Sequence, residues 1–110
     1  MAEMVPAHLL ENVAERFRVL GDATRLAILR TLLAEGELNV GQLVERLGMS
    51  QANVSKHLRT LADARMVSRR AEGTAAFYSV SDPSLTHLCD LVCDRLREQV
   101  EEDVRAFSAV

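Results

Sequence analysis

The 110-residue sequence lacks any apolar run long enough to cross a bilayer or to form a signal-peptide core. Its longest stretches free of Asp, Glu, Lys and Arg are Leu47 to Ser55 and Gly73 to Ser81, nine residues each. A cytoplasmic chain with no membrane partner is the expectation. Cysteine is scarce as well: Cys89 and Cys93 are the only two, too few for a disulfide framework, and in a reducing compartment they are expected to be thiols. There is no glycine-rich phosphate loop, and no motif gathers a nucleophile, a base and an orienting group, so an enzyme is not expected. Nor is there an excess of positive charge. Thirteen Lys and Arg stand against sixteen Asp and Glu, a net charge of −3 that, spread evenly, would argue against a nucleic-acid partner.

The charge is not spread evenly. From Ser50 to Ala71, Lys56, Arg59, Arg65, Arg69 and Arg70 face Asp63 alone, a local balance of +4. From Asp82 to Val110, seven acidic residues outweigh three basic ones, a balance of −4. A basic middle attracts phosphate, while acidic flanks keep the chain soluble and limit indiscriminate binding.

The basic segment coincides with the most structured motif in the chain, Asn39 to Leu61. Val40, Leu43, Val44 and Leu47 recur at helical spacing, and Gly48 follows where a left-handed helix-ending residue is least strained. Met49 and Ser50 make a turn, with Ser50 the N-cap of a second helix whose buried stripe is Val54, Leu58 and Leu61. On a helical wheel Ala52, Ser55, Lys56, Arg59, Thr60 and Asp63 then fall on the opposite side. Gln51 and Asn53 occupy the first turn, where amides can donate and accept against base edges and the free N–H groups favour phosphate. This is the pattern of a helix-turn-helix whose second helix reads DNA; a solvated amphipathic helix in an ordinary bundle would show the same local periodicity.

Around this motif the chain reads in order as follows. Pro6 opens a first helix with Leu9, Leu10, Val13, Phe17 and Leu20 as its stripe, ending at Gly21. Asp22 caps a second, Ala23 to Ala34, whose apolar residues surround it almost completely and place it in the core. Arg25 and Arg30 on that helix read as ion-paired or edge residues. Met66 to Ala71 and Ala75 to Val80 form two strands joined through Gly73, a β-hairpin wing with Arg69 and Arg70 near its tip, placed to reach backbone phosphate or to discourage edge pairing. Ser81, Asp82 and Pro83 start a last helix of about twenty residues with Leu85, Leu88, Val92, Leu96, Val100 and Phe107 along one side. Both terminal helices therefore offer apolar faces suited to a two-fold homodimer. The expected architecture is mainly α with a two-stranded β-hairpin: a winged helix-turn-helix of five helices, a single domain over residues 1–110, dimeric through its first and last helices.

The stretches LGDATRLAILRTL, LVERLGMSQANVSKHLRTL and GTAAFYSVSDPSL, in this order and without large insertions, closely resemble the ArsR/SmtB family of winged-helix repressors. The resemblance implies a homodimeric repressor that occupies a palindromic operator on double-stranded DNA until an inducer weakens binding. Its DNA-contacting helix matches Ser50 to Leu61 and its wing Arg69 to Tyr78. The sequence departs from the family at the inducer sites. Metalloid sensors often carry a cysteine pair where this chain has Glu37 to Leu43, which holds none. The family's zinc positions correspond to Asp82, Ser84, Arg95 and Glu98, so both imidazoles are replaced.

The expected DNA contacts are Ser50, Gln51, Asn53, Ser55, Lys56 and Arg59, with Arg69 and Arg70 from the wing. Cys89 and Cys93, four apart on one face of the last helix, are the effector candidates; a dimer could gather four thiols, a set for arsenite, another thiophilic ion or oxidation. The same cysteines could equally be small apolar packing residues. No resident cofactor is implied. His57 flanks the buried stripe and reads as a packing or phosphate residue, His87 lies away from Cys89, and His8 reads as exposed. Two other functions fit the pattern, a winged-helix interaction module that never reads DNA and a constitutive repressor without inducer.

Overall fold

The computed structural model describes residues 5–109 as five α-helices and three strands. Residues 1–4 and 110, the ends of the expected 1–110 domain, lie outside the described residues. A 3-10 turn, Ala7–Leu9, leads into α1, Leu10–Leu20. Asp22 caps α2, Ala23–Glu35, its Oδ1 accepting from the Arg25 N–H at 3.0 Å. Strand β1, Leu38–Asn39, runs directly into α3, Val40–Leu47. Asn39 and Gln42 close a reciprocal capping box there, each side chain accepting from the other's backbone N–H at 2.8 and 2.9 Å. Gly48 ends α3 at φ 65°, the left-handed conformation that a side chain would strain. Two residues later the Ser50 hydroxyl accepts from the Asn53 N–H and starts α4, Gln51–Asp63. The wing is β2, Val67–Glu72, and β3, Ala75–Val80; α5, Ser84–Ser108, closes the chain.

The sheet is antiparallel with order β1-β3-β2. The expected hairpin pairs Val67 with Val80 through Glu72 with Ala75, and it gains a third strand where Leu38 pairs with Tyr78. The core fills the space between this sheet and α2, α3 and α4. Ile28, Leu29 and Leu32 meet Leu43, Val54, Leu58, Leu61 and Met66, all 2% exposed or less, with Leu85 from the start of α5. Each such side chain adds about 1.5–3 kcal/mol by leaving water. Val54, Leu58 and Leu61 are thus buried as the spacing predicts, and they turn the opposite side of α4 outward.

Two helices are less buried than their composition predicts. On α2, Leu26 and Leu33 are each 40% exposed, because only the side carrying Ile28, Leu29 and Leu32 meets the core. On α5, 25 residues rather than about twenty, Leu85 is the buried residue; Val92, Leu96, Val100, Val104 and Phe107 are exposed. At 1.5 Å per residue α5 is about 37 Å long, more than the domain's own core can cover. Among the described residues no helix is long and apolar enough to cross a membrane.

Candidate nucleic-acid interface

Helix α4 and the wing enclose an open groove of about 530 Å³, lined by Ala52, Ser55, Lys56, Arg59, Asp63, Arg69 and Tyr78. Ser50 sets its geometry by starting α4 at a defined residue, and Val54, Leu58 and Leu61 turn the opposite side of the helix into the core. Lys56, Arg59 and Arg69 make no side-chain ion pair or hydrogen bond among the described residues, and Asp63 is the one carboxylate in the lining. The groove can therefore present three solvated cations to phosphate. Gln51 and Ser55 are exposed and Asn53 half-buried at the amino end of α4, where the first backbone N–H groups lack helical acceptors.

Arg69 and Arg70, adjacent in the wing, are turned to opposite faces. Arg69 stands opposite Tyr78, on the side facing α4. Arg70 stands opposite Phe77, its Cζ 4.9 Å from the ring centroid. Its Nε and Nη2 grip both oxygens of Glu37 at 3.0 and 2.7 Å, and Nη1 reaches Glu72 at 3.0 Å. Hydrogen bonds donated to Glu37 and then to Glu72 push the Arg70 guanidinium further above its usual range, and those accepted from Arg70 hold Glu37 below its own. Both arginines were expected to offer themselves to DNA; Arg69 stands without an ion pair among the described residues, whereas Arg70 is paired and braces the wing against the segment before β1.

His57 points inward, 7% exposed, and Arg25 approaches its Nδ1 at 3.3 Å. Arg25 also donates to the Val19 and Arg18 carbonyls at 2.6 and 3.3 Å. Its side chain, 12% exposed, is therefore held inside the fold and not at its edge.

A second, apolar groove of about 690 Å³ lies between α1, α2 and α5. Phe17 and Leu20 line it from α1, Leu26 and Leu33 from α2, and Val92 and Leu96 from α5. Cys89, half-buried, and Cys93, exposed, open into it as free thiols. Arg97 Nη2 lies 3.8 Å from Cys93 Sγ, a cation beside that sulfur. The contribution of α2 to this groove was hidden in the sequence, where all its apolar residues read as core. Among the described residues no three His, Cys, Asp or Glu side chains converge as a metal site.

The positions aligned with the family's zinc site are engaged elsewhere. Asp82 pairs with Arg16 and accepts from both the backbone and hydroxyl of Ser84, while Arg95 pairs with Glu98 at 3.1 Å. With serine and arginine where the family has imidazoles, and both carboxylates paired with arginines, these residues do not suit a zinc ion.

Comparison with known proteins agrees with this geometry. Residues 22–69 match the family model described as bacterial regulatory protein, arsR family. The arsenical resistance operon repressor of Bacillus subtilis is 30% identical over 98 residues, 88% of this chain and 93% of that protein. A crystal structure of an antimony-specific transcriptional repressor superposes with a TM-score of 0.79 at 28% identity, over 91% of this chain and 90% of that one. The homodimeric winged helix-turn-helix DNA-binding domain of a possible ArsR-family regulator from Mycobacterium bovis gives 0.72 at 33% identity, over 89% and 92%. This chain belongs to the arsR family of bacterial regulatory proteins and is a winged helix-turn-helix transcriptional regulator.

Proposed function

We propose that the protein is a homodimeric repressor that reads a palindromic operator and releases it when a thiophilic ligand acts at Cys89 and Cys93. The observation that carries the DNA reading is the groove between α4 and the wing, where Lys56, Arg59 and Arg69 stand without partners among the described residues. In this reading residues 1–110 work as one domain in the cytoplasm. Ser50 and the amino end of α4 seat against the backbone, Gln51, Asn53 and Ser55 approach base edges, and Lys56, Arg59 and Arg69 hold phosphate. Arg70 supports the wing from behind. The exposed apolar faces of α1 and α5 take the second copy, in keeping with the homodimeric Mycobacterium bovis domain. Two recognition helices about 34 Å apart then match successive major grooves.

The donor chemistry of the α5 thiols suits arsenite or another soft ion, and the similarity to a repressor of an arsenical resistance operon and to an antimony-specific repressor makes metalloids the first ligands to test. Cys89 and Cys93 would hold such an ion at the groove beside the dimer face, where a change of packing alters the separation of the two recognition helices.

The test is fluorescence anisotropy of a labelled duplex from the gene's own upstream region, with reduced protein, before and after arsenite. Tight, salt-sensitive binding released by arsenite, and retained in a Cys89→Ser, Cys93→Ser double variant, is the expected result. Absence of binding to any upstream duplex would overturn the DNA reading; release of the double variant would overturn the thiol assignment.

A further inference from the structure

His57 is the buried polar side chain of the described core, and it belongs to the helix that carries the DNA-facing residues. Its environment is made by one guanidinium. A guanidinium only donates, so the 3.3 Å approach of Arg25 Nη1 leaves Nδ1 as the acceptor and puts the imidazole proton on Nε2. Arg25 is itself held on every side. Its Nε and Nη2 donate to the Val19 and Arg18 carbonyls at the end of α1, and Asp22 Oδ2, on the residue that caps α2, lies 4.0 Å from Nη1. With its side chain 12% exposed, Arg25 joins the end of α1, the start of α2 and the middle of α4.

Hydrophobic packing alone fixes a helix's roll loosely, since Val54, Leu58 and Leu61 are apolar surfaces with no directional bond. The Arg25–His57 hydrogen bond is directional. It joins α4 to the rest of the domain between Lys56 and Arg59, the two cations that α4 sends into the groove.

We propose that Arg25 and His57 are positioning residues for operator recognition: their hydrogen bond sets the roll of α4 so that Gln51, Asn53 and Ser55 meet base edges. The proposal rests on the DNA reading above and extends it to residues that touch no DNA. Phosphate contacts, made by long flexible side chains, tolerate a small rotation of α4; base contacts do not. Loss of the bond is therefore a loss of discrimination.

The test compares wild type with His57→Leu, which keeps bulk but has no acceptor, and His57→Asn, whose amide oxygen can stand where Nδ1 stood. Arg25→Lys keeps the charge but cannot serve α1 and His57 together, and so provides a variant with α4 unaltered. Urea unfolding selects chains that are folded at the assay temperature, and anisotropy measures affinity for the operator and for a scrambled duplex across a salt series. The expected result is that His57→Leu and Arg25→Lys lose roughly tenfold in operator preference, the scale of one misplaced base contact, with the salt slope unchanged. His57→Asn recovers most of that preference, which a role in packing alone would not produce. Unchanged preference in folded His57→Leu and Arg25→Lys, or no recovery in His57→Asn, overturns the proposal. A wild type that binds no upstream duplex overturns the DNA reading and this proposal together.

Discussion

Replacing Arg69 and Arg70 one at a time by alanine tests whether the unpaired wing cation meets DNA and the paired one does not. Arg69 lines the groove between α4 and the wing with no ion pair among the described residues, whereas Arg70 is held by both oxygens of Glu37, by Glu72 and by the face of Phe77. Removing one cation from a phosphate lowers the slope of log K against log salt by about 0.9, so a two-fold dimer without Arg69 has a slope shallower by about 1.8. Between about 50 and 200 mM salt, a fourfold change, that difference makes the variant's fall in affinity roughly 12-fold smaller than the wild type's. Arg70→Ala leaves the slope where it was. Anisotropy titrations of the operator duplex across that range measure both. Equal flattening by the two variants, or flattening by Arg70→Ala alone, would refute the division of labour read from the strand.

Leu58, fully buried between α4 and the core, should cost about 2–5 kcal/mol when replaced by Ala, read as a lower urea midpoint at unchanged m-value. Leu96→Asp places a charge in the middle of the exposed apolar stripe of α5 and should leave a folded monomer in sedimentation velocity where the wild type is a dimer. Glu37 is held below its ordinary value near 4.5 by hydrogen bonds from Arg70 and by that residue's charge. A depressed carboxylate contributes stability above its unfolded value and loses it as pH falls through the folded one. Thermal melts of Glu37→Gln should therefore fall less steeply than the wild type's below pH 4.5, and parallel curves would discard this contribution.

The helix-turn-helix was legible because its signals are local. Ser50, Gly48 and the spacing of Val54, Leu58 and Leu61 act within a few residues, and the structure places each in the role its chemistry requires. Strand β1 was not legible. Two residues carry no periodicity, and Leu38 is a strand residue because Tyr78, forty positions later, supplies its partner. The different facing of Arg69 and Arg70 follows from the two-residue period of any strand and could have been read; what could not is that Glu37, 33 residues earlier, waits for Arg70. Arg25 was opaque for the same reason, since two of its acceptors lie at the end of the preceding helix and the third, His57, lies 32 residues on. The apolar residues of α2 misled by being too uniform. Composition marks Leu26 and Leu33 as core, and only the placement of α5 opens the groove they line.

The apolar strip left uncovered along α5 ties the protein's stability to its concentration. A second copy that binds the folded subunit and not the unfolded chain adds about 1.4 kcal/mol for each tenfold rise in free subunit, so the melting temperature climbs with protein concentration. A half-site that already holds one subunit presents the next with an effective concentration of order millimolar. The operator is then an assembly template, and promoter occupancy at low copy number follows the square of the subunit count.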